Sequence, residues 1–173
     1  MTVATAADPH AGIALRPSVA ADDAFLRELY AGVRWPELAS LPWTAAEKRA
    51  FCDAQFDLQD RHYRTHYPGA EFLVITAGDG APIGRLCRVR GVGEWRLMDI
   101  ALLPAHRGRG AGTRLVTELI AGADAAGVPV VLHVEHDNPA RRLYERLGFA
   151  GVADPGEPGV YLEMKRPPAR RRD

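Results

Sequence analysis

The chain has 173 residues, a formal net charge of zero, 47% hydrophobic residues and 25% charged residues. This balance excludes a global attraction to nucleic acid or to a membrane surface, and the length is enough to bury a substantial core. Cys52 and Cys87 lie far apart and form no C-x-x-C motif, which argues against a disulfide framework. No signal peptide or membrane-spanning run is evident, so we expect a cytoplasmic protein.

The two ends of the chain differ in composition from the middle. Residues 1–12 are small and polar, which predicts a flexible N-terminus. A single domain is expected over 13–166. The basic segment 167–173 is interpreted as a solvated, disordered tail and not as a nucleic-acid contact.

The first elements of the chain are read from apolar spacing and capping residues. A short strand is predicted at Ile13–Arg16, and apolar residues at helical spacing predict a helix over Ala20–Arg34. Thr44 and Glu47 form a capping-box signature, which predicts a second helix that runs to about His66.

The end of this second helix carries two histidines. His62 and His66 are four residues apart and share a helical face. No glutamate completes an H-E-x-x-H motif and no third ligand is evident, so no metal site is expected. The polar face is a solvent surface or the rim of a substrate pocket.

Three strands follow, and the last contains a charge. They are predicted at Glu71–Thr76, Pro82–Val92 and Trp95–Leu103. The third is almost continuously apolar, which is typical of a central strand. Asp99 is the exception, and a carboxylate there must be paired, hydrogen-bonded or functional.

A glycine-rich loop connects this strand to a helix predicted over Gly110–Ala126. The first amides of a helix lack intrahelical acceptors and lie at the positive end of its dipole, so this junction favours an anion. It is not a nucleotide P-loop, because no Lys with Ser or Thr follows the second glycine. It is not a dinucleotide fingerprint either, because Thr113 occupies the third glycine position. A loop rich in glycine only for its turns is the alternative.

The C-terminal part alternates strands with one short helix. A strand is predicted at Val130–Glu135, with His133 and Glu135 on the same face. Asp137 or Asn138 is expected to cap a helix that ends near Leu147 and has Pro139 in its first turn. Short strands broken by Pro155, Gly156 and Pro158 are expected from Phe149 onward, and Val160–Met164 is expected to close the sheet.

Two motifs together carry a family resemblance. Arg107-x-x-Gly110-x-Gly112 resembles the pyrophosphate loop of the GCN5-related N-acetyltransferases (GNAT). Asn138–Phe149, with Ala140, Leu143-Tyr144 and Gly148-Phe149, looks like the second acetyl-CoA motif of the same family. The resemblance covers roughly 69–166. It implies an α/β fold of the α+β type, with a mixed, mostly antiparallel sheet of about six to seven strands flanked by helices. Two neighbouring strands would splay apart to hold the pantetheine arm.

The resemblance also implies a donor site and an acceptor rim. Acetyl-CoA would be held by backbone amides of the loop, by the end of the preceding strand and by the motif asparagine. These cofactor residues are Leu102, Leu103, Arg107, Gly108, Arg109, Gly110, Ala111, Gly112, Thr113 and Asn138. The acceptor would meet the polar face of the second helix at Gln55, Gln59, His62 and Tyr63.

Catalytic roles follow in the same way. Tyr144 matches the tyrosine proposed in the family as general acid toward the departing thiolate, although it could simply pack on the cofactor. An amine must lose a proton before it attacks a thioester, so a base or a water chain is needed. His133 stands where the family often has a glutamate, and it is the first candidate base, before Glu135 and Asp99.

The resulting prediction is an acetyl-CoA-dependent N-acetyltransferase that acts by direct attack in a ternary complex. The acceptor would be a small amine or an exposed protein amino group, with no nucleic acid or membrane as partner and a homodimer left open. An idle acyl-CoA-binding sensor or scaffold, and an acyltransferase that uses another acyl donor, are the alternatives.

Overall fold

A computed structural model describes residues 12–152 and 160–169. The expectations for 1–11, 153–159 and 170–173, which include the broken strands after Phe149 and most of the basic tail, lie outside these residues. The helices are α1 (Asp23–Arg34), α2 (Ala45–His66), α3 (Ala111–Ala126) and α4 (Arg141–Arg146). The strands are β1 (Ala14–Pro17), β2 (Ala70–Thr76), β3 (Pro82–Arg90), β4 (Trp95–Leu102), β5 (Val130–Glu135), β6 (Ala150–Gly151) and β7 (Tyr161–Arg166).

The seven strands form one mixed sheet in the order β1-β2-β3-β4-β5-β7-β6. β1 pairs antiparallel with β2, and β7 pairs antiparallel with both β5 and β6. β4 and β5 are parallel, as a strand–helix–strand crossover through α3 requires. The predicted fold class is therefore confirmed, and β4 has the central position expected of it, as the fourth of the seven strands.

The last strand differs from its prediction in position. β7 does not close the sheet, because it lies between β5 and the two-residue strand β6. Its register runs from Val130 opposite Arg166 to Glu135 opposite Tyr161, so it covers the whole of β5. β6 forms the edge and pairs Ala150 with Lys165.

The chain separates into two compact units. Among the described residues, the first contains 12–68, Phe72–Leu86 and Ala101–Ala111, and the second contains Gly69–Glu71, Cys87–Ile100 and the part from Gly112 to residue 169. In the first unit, Ala31, Leu38 and Cys52 are buried together.

The second unit is built around β5. Its buried side chains include Val130, Val131, Leu132 and Met164, each no more than 1% exposed. Asp124 of α3 accepts from both terminal nitrogens of Arg166 at 2.8 and 3.1 Å, which ties the end of β7 to that helix.

The capping box of α2 forms as predicted. The Thr44 hydroxyl accepts from the Glu47 N–H at 3.2 Å, and the Glu47 carboxylate accepts from the Thr44 N–H at 2.7 Å. Two N–H groups at the helix start therefore have acceptors, which explains why the helix begins at Ala45. Within the described residues, none of the helices combines the length and apolar character needed to cross a membrane.

Candidate active site

The glycine loop lies between the end of β4 and the start of α3. Gly108 and Gly110 have positive φ angles of 69° and 88°, so the backbone there favours glycine. Gly110 consequently cannot begin the helix, which starts one residue later than predicted, at Ala111. The first amides of α3 have no intrahelical acceptors and point back toward the loop.

Gly112 is different, because nothing in the described part of the chain requires a glycine there. Its φ is not positive, and a Cβ added at this position would meet no atom within 4 Å. When the fold itself does not require a glycine in a helix, the missing side chain still lets a bulky ligand come close to the backbone.

Hydrogen bonds hold the segment before the loop. The Leu103 N–H donates to the Ile83 carbonyl at 2.9 Å, so this predicted cofactor amide already has an acceptor within the sheet. The His106 N–H donates to Leu103 and the Arg107 N–H to Pro104, which forms a single tight turn. The Arg107 side chain then folds back, and its Nε donates to the Leu102 carbonyl at 2.7 Å.

The two parallel strands beside the site continue beyond their pairing. β4 and β5 pair from Trp95–Val130 to Leu97–Leu132. Past that point β4 extends to Leu102 and β5 extends to Glu135, whereas β5 stays paired with β7 to its end. The register between the two strands thus covers the first residues of each, from Trp95 to Leu97 and from Val130 to Leu132.

Asn138 lies before α4, which starts later than predicted. The Asn138 Oδ1 accepts from the Ala140 N–H at 2.9 Å, in an Asx turn. Residues 138–140 form a tight turn of i to i+3 hydrogen bonds, so the cap is Ala140 and not Asp137 or Asn138. The side chain of Asn138 therefore shapes the turn that leads into the helix.

Tyr144 lies in α4 and is only 7% exposed. Its ring packs edge-to-face on Phe149, with centroids 5.9 Å apart. Burial, and then the negative charge of Asp99, raise the pKa of Tyr144 to about 12. The predicted catalytic residues Tyr144 and Asp99 thus lie close enough to interact electrostatically. The phenol of Tyr144 keeps its proton throughout the neutral pH range.

His133 is held by two neighbours on adjacent strands. Its Nδ1 lies 3.2 Å from Nη1 of Arg96, and its Nε2 lies 3.3 Å from Oε2 of Glu163. Because a guanidinium can only donate, Nδ1 is the acceptor and Nε2 carries the proton, an assignment inferred from the partners. The lone pair that a base would use therefore faces a cation.

The polar face of α2 is partly used by the fold. The carbonyl of Gln59 accepts from Arg85, a β3 residue that is 8% exposed and lies over the rings of Tyr30 and Phe56. The rings of His62 and His66 stack with centroids 4.3 Å apart, and the His66 Nδ1 lies 3.0 Å from the His62 carbonyl. Gln55 and Tyr63 are half-buried.

Sequence reasoning missed Arg85 and Arg96. The charge of Arg85 within the otherwise apolar start of β3 was a usable signal, because a buried charge must have partners. Arg96 carried the same signal, because it is a second charge in the apolar strand that holds Asp99. Its contact with His133, however, depends on the register of β4 against β5.

A cavity of about 390 Å³ in the first unit contains none of the predicted site residues. It lies between α1, α2 and β2. Arg64 at its wall is paired with Asp60 at 2.7 Å and covers the ring of Phe72 at 4.2 Å. Since those polar groups already have partners, the cavity offers no chemistry comparable with that of the loop.

The fold and the loop together define a class. A mixed sheet in which a central strand leads through a glycine loop into a crossover helix is the arrangement that the family resemblance implied. Residues 34–149 match the family described as the acetyltransferase (GNAT) family. The chain belongs to that family, which confirms the resemblance.

Relatives of known activity match parts of the chain. It is 32% identical over 121 residues to the mycothiol acetyltransferase of Streptomyces avermitilis, and this match covers 62% of this chain and 38% of the relative. It is 42% identical over 60 residues to the [ribosomal protein bS18]-alanine N-acetyltransferase of Haemophilus influenzae, which covers 34% of this chain and 41% of the relative. The chain thus spans less than half the length of the curated relatives it matches.

Solved structures show the same fold. The PaiA N-acetyltransferase of Thermoplasma acidophilum, in complex with coenzyme A, superposes with a TM-score of 0.65 at 17% identity. The match covers 90% of this chain and 99% of that chain. At this identity the likeness concerns the fold alone.

Proposed function

We propose that the protein transfers the acetyl group of acetyl-CoA to a primary amine, by direct attack in a ternary complex. The observation that carries the proposal is the loop before α3. Two of its glycines, Gly108 and Gly110, have a left-handed backbone. At Gly112 the described residues leave room for a side chain, yet the position is a glycine. Such a surface fits a pyrophosphate against helix amides. The coenzyme A in the PaiA structure and the activities of the relatives support the same assignment.

Each group in the proposed donor site has a separate task. The amides of the loop and of Ala111–Thr113 bind the pyrophosphate, with Arg107 and Arg109 beside them. The end of β4 at Leu102 and Leu103 lies along the pantetheine and the thioester, and acetyl-CoA supplies the activated carbonyl. The Leu103 N–H donates to Ile83 and the Leu103 carbonyl accepts from the His106 N–H, so the second lone pair of that carbonyl is the group on the residue that could accept from the pantetheine. Asn138 maintains the turn before α4 through its bond to Ala140.

Tyr144 is proposed as the hydrogen-bond donor to the leaving sulfur. A thiol has a pKa near ~8.5, so full transfer from a phenol of pKa about 12 would be uphill by ~3.5 units. We therefore propose that the Tyr144 O–H donates a hydrogen bond to the sulfur as the carbon–sulfur bond breaks. Because a thiolate is a weaker base than the buried tyrosinate, the proton stays on Tyr144 and the hydrogen bond stabilises the negative charge that develops on sulfur. Coenzyme A then leaves as the thiolate, which takes its proton from solvent.

Glu135 is proposed as the base that accepts the amine proton. His133 remains a candidate, but its lone pair faces Arg96. Asp99 is the third candidate, and its charge acts on the phenol of Tyr144. Glu135 ends β5, beyond the residues of that strand that pair with β4. Gln55, Gln59, His62 and Tyr63 stay the predicted acceptor contacts, with Gln59 also bound to Arg85.

The test measures thiol release from acetyl-CoA against polyamines, aminoglycosides, amino acids and peptides with an α-amine or a lysine. We expect saturable release with one acceptor class. Tyr144→Phe should then lower kcat by about 10²-fold to 10⁴-fold while acetyl-CoA affinity stays within a few-fold. Binding of acetyl-CoA without turnover of any acceptor would favour the sensor alternative. Faster turnover with propionyl-CoA or succinyl-CoA would identify that compound as the preferred acyl donor.

A further inference from the structure

The side chain of Arg107 makes a contact that its expected role with phosphate does not require. Its Nε donates to the carbonyl of Leu102, five positions earlier at the end of β4, at 2.7 Å. A guanidinium that served only as a positive charge for a phosphate would have no need of a backbone acceptor within its own turn.

The position of this hydrogen bond determines what it can control. Leu102 is the last residue of β4, and Arg107 ends the tight turn Pro104–His106. Immediately after Arg107 the backbone enters the left-handed region at Gly108 and again at Gly110. Glycines make this conformation accessible but do not select it, because glycine populates many others. The side-chain bond to Leu102 closes the turn immediately before these glycines, and so it fixes the point from which the glycine segment starts.

We propose that Arg107 is a positioning residue, whose Nε–H bond to Leu102 holds the loop in the conformation that presents its amides to the acyl donor. The positive charge is secondary to this bond. The inference rests on the proposed function, since it concerns how the same loop binds acetyl-CoA. It assigns to Arg107 a role that acts on the ligand through the backbone.

The chemistry of three side chains separates the bond from the charge. In glutamine the amide nitrogen follows Cβ, Cγ and Cδ, so it occupies the place of the arginine Nε and can donate to Leu102 without a charge. In lysine a methylene occupies that place, and the ammonium lies one atom further along. Methionine provides neither donor nor charge. The neighbouring residue Arg109→Gln removes one charge from the same loop and is the matched control.

The experiment is calorimetric titration of acetyl-CoA into the wild-type chain and the Arg107→Gln, Arg107→Lys, Arg107→Met and Arg109→Gln variants. Thermal unfolding of each unliganded variant checks the fold. We expect Arg107→Gln to bind within about 3-fold of wild type, and Arg107→Lys and Arg107→Met to bind about 10- to 100-fold more weakly. Added salt should weaken the binding of wild type and Arg107→Gln by similar factors.

The other outcomes overturn the inference in distinguishable ways. If Arg107→Lys binds like wild type and Arg107→Gln binds like Arg107→Met, the charge is what matters and the proposed function stands. Equal affinities for all variants at Arg107 would show that the bond has no role in donor binding. If the wild-type chain does not bind acetyl-CoA, the proposed function itself fails, and the inference falls with it.

Discussion

At the scale of single residues, the proton of Tyr144 is controlled by burial and by one nearby carboxylate. Burial makes the larger contribution and Asp99 adds to it, so that the pKa is raised to about 12. Asp99→Asn removes the negative charge but leaves the phenol buried. We therefore expect the pKa of Tyr144 to fall below about 12 and to stay above the ordinary value near ~10.

Absorbance titration of tyrosinate measures this shift. Because the chain has five tyrosines, each titration is compared with that of the same chain carrying Tyr144→Phe, so that the difference reports Tyr144. Asp79→Asn, at a turn carboxylate whose Oδ1 accepts from the Ala81 N–H, is the control and should leave the difference curve unchanged. An unchanged curve for Asp99→Asn would mean that Asp99 does not lie near the phenol in solution.

Asp22 gives the fold a dependence on pH. It accepts two hydrogen bonds from Arg16, at 2.7 and 2.8 Å, and one from the Val19 N–H, which together hold its pKa at about 2. This value is below that of an unfolded aspartate near ~3.9. The contribution of Asp22 to stability is therefore fully present above about pH 4 and is lost as the pH falls toward 2.

Asp22→Asn should lower the free energy of unfolding at neutral pH by about 1 to 2 kcal/mol, since Arg16 is partly exposed and solvent screens the pair. The difference from wild type should shrink near pH 2. Denaturant unfolding at both pH values measures it. Asp23→Asn, which removes an exposed partner of Arg27, is the control and should cost less. A loss that does not depend on pH would contradict the assignment to this ion pair.

At the scale of secondary-structure elements, two helical glycines have opposite surroundings. A Cβ at Gly32 of α1 would meet no atom within 4 Å, whereas a Cβ at Gly122 of α3 would lie 2.7 Å from the indole of Trp95 on β4. Gly122 thus permits the close approach of α3 to β4. The guanidinium of Arg90 lies 5.7 Å from the same indole, which restricts where the ring could move.

Replacing each of these two glycines by alanine should therefore have opposite effects on stability. Gly32→Ala should raise the free energy of unfolding by about 0.5 to 1 kcal/mol, because alanine has the better helix propensity. Gly122→Ala should lower it by about 0.5 to 2 kcal/mol, because the clash with Trp95 exceeds that gain. Denaturant unfolding of the two variants measures both signs. A stabilising Gly122→Ala would show that the indole moves at little cost.

The sequence predicted most elements because their signals are local. The start of α2 follows from Thr44 and Glu47, and the boundaries of β5 match their prediction because its apolar run is bounded by breakers. The start of α4 was misplaced, since the i to i+3 turn at 138–140 competes with an ordinary cap. The contacts of His133 could not be predicted, because they come from Arg96 and Glu163 on the two strands that flank β5.

At the scale of the whole molecule, the proposed function predicts that the acyl donor stabilises the folded chain. A ligand that binds only the folded state adds a free energy that grows with its concentration, by about 2.7 kcal/mol at 100 times the dissociation constant. For a chain of 173 residues, each kcal/mol raises the unfolding temperature by about 2–4 °C. Saturating acetyl-CoA should therefore raise it by roughly 5–11 °C.

Differential scanning calorimetry across a series of acetyl-CoA concentrations measures this rise. Adenosine has no pyrophosphate to bind the amides of the loop and should change the unfolding temperature far less. Arg107→Met should require about 10- to 100-fold more acetyl-CoA for the same rise, because its loop is no longer held by the bond to Leu102. Tyr144→Phe should show the same rise in unfolding temperature as the wild type, because the lost hydroxyl contributes to turnover and not to donor binding. An equal response to adenosine and acetyl-CoA would indicate that the loop does not bind the pyrophosphate.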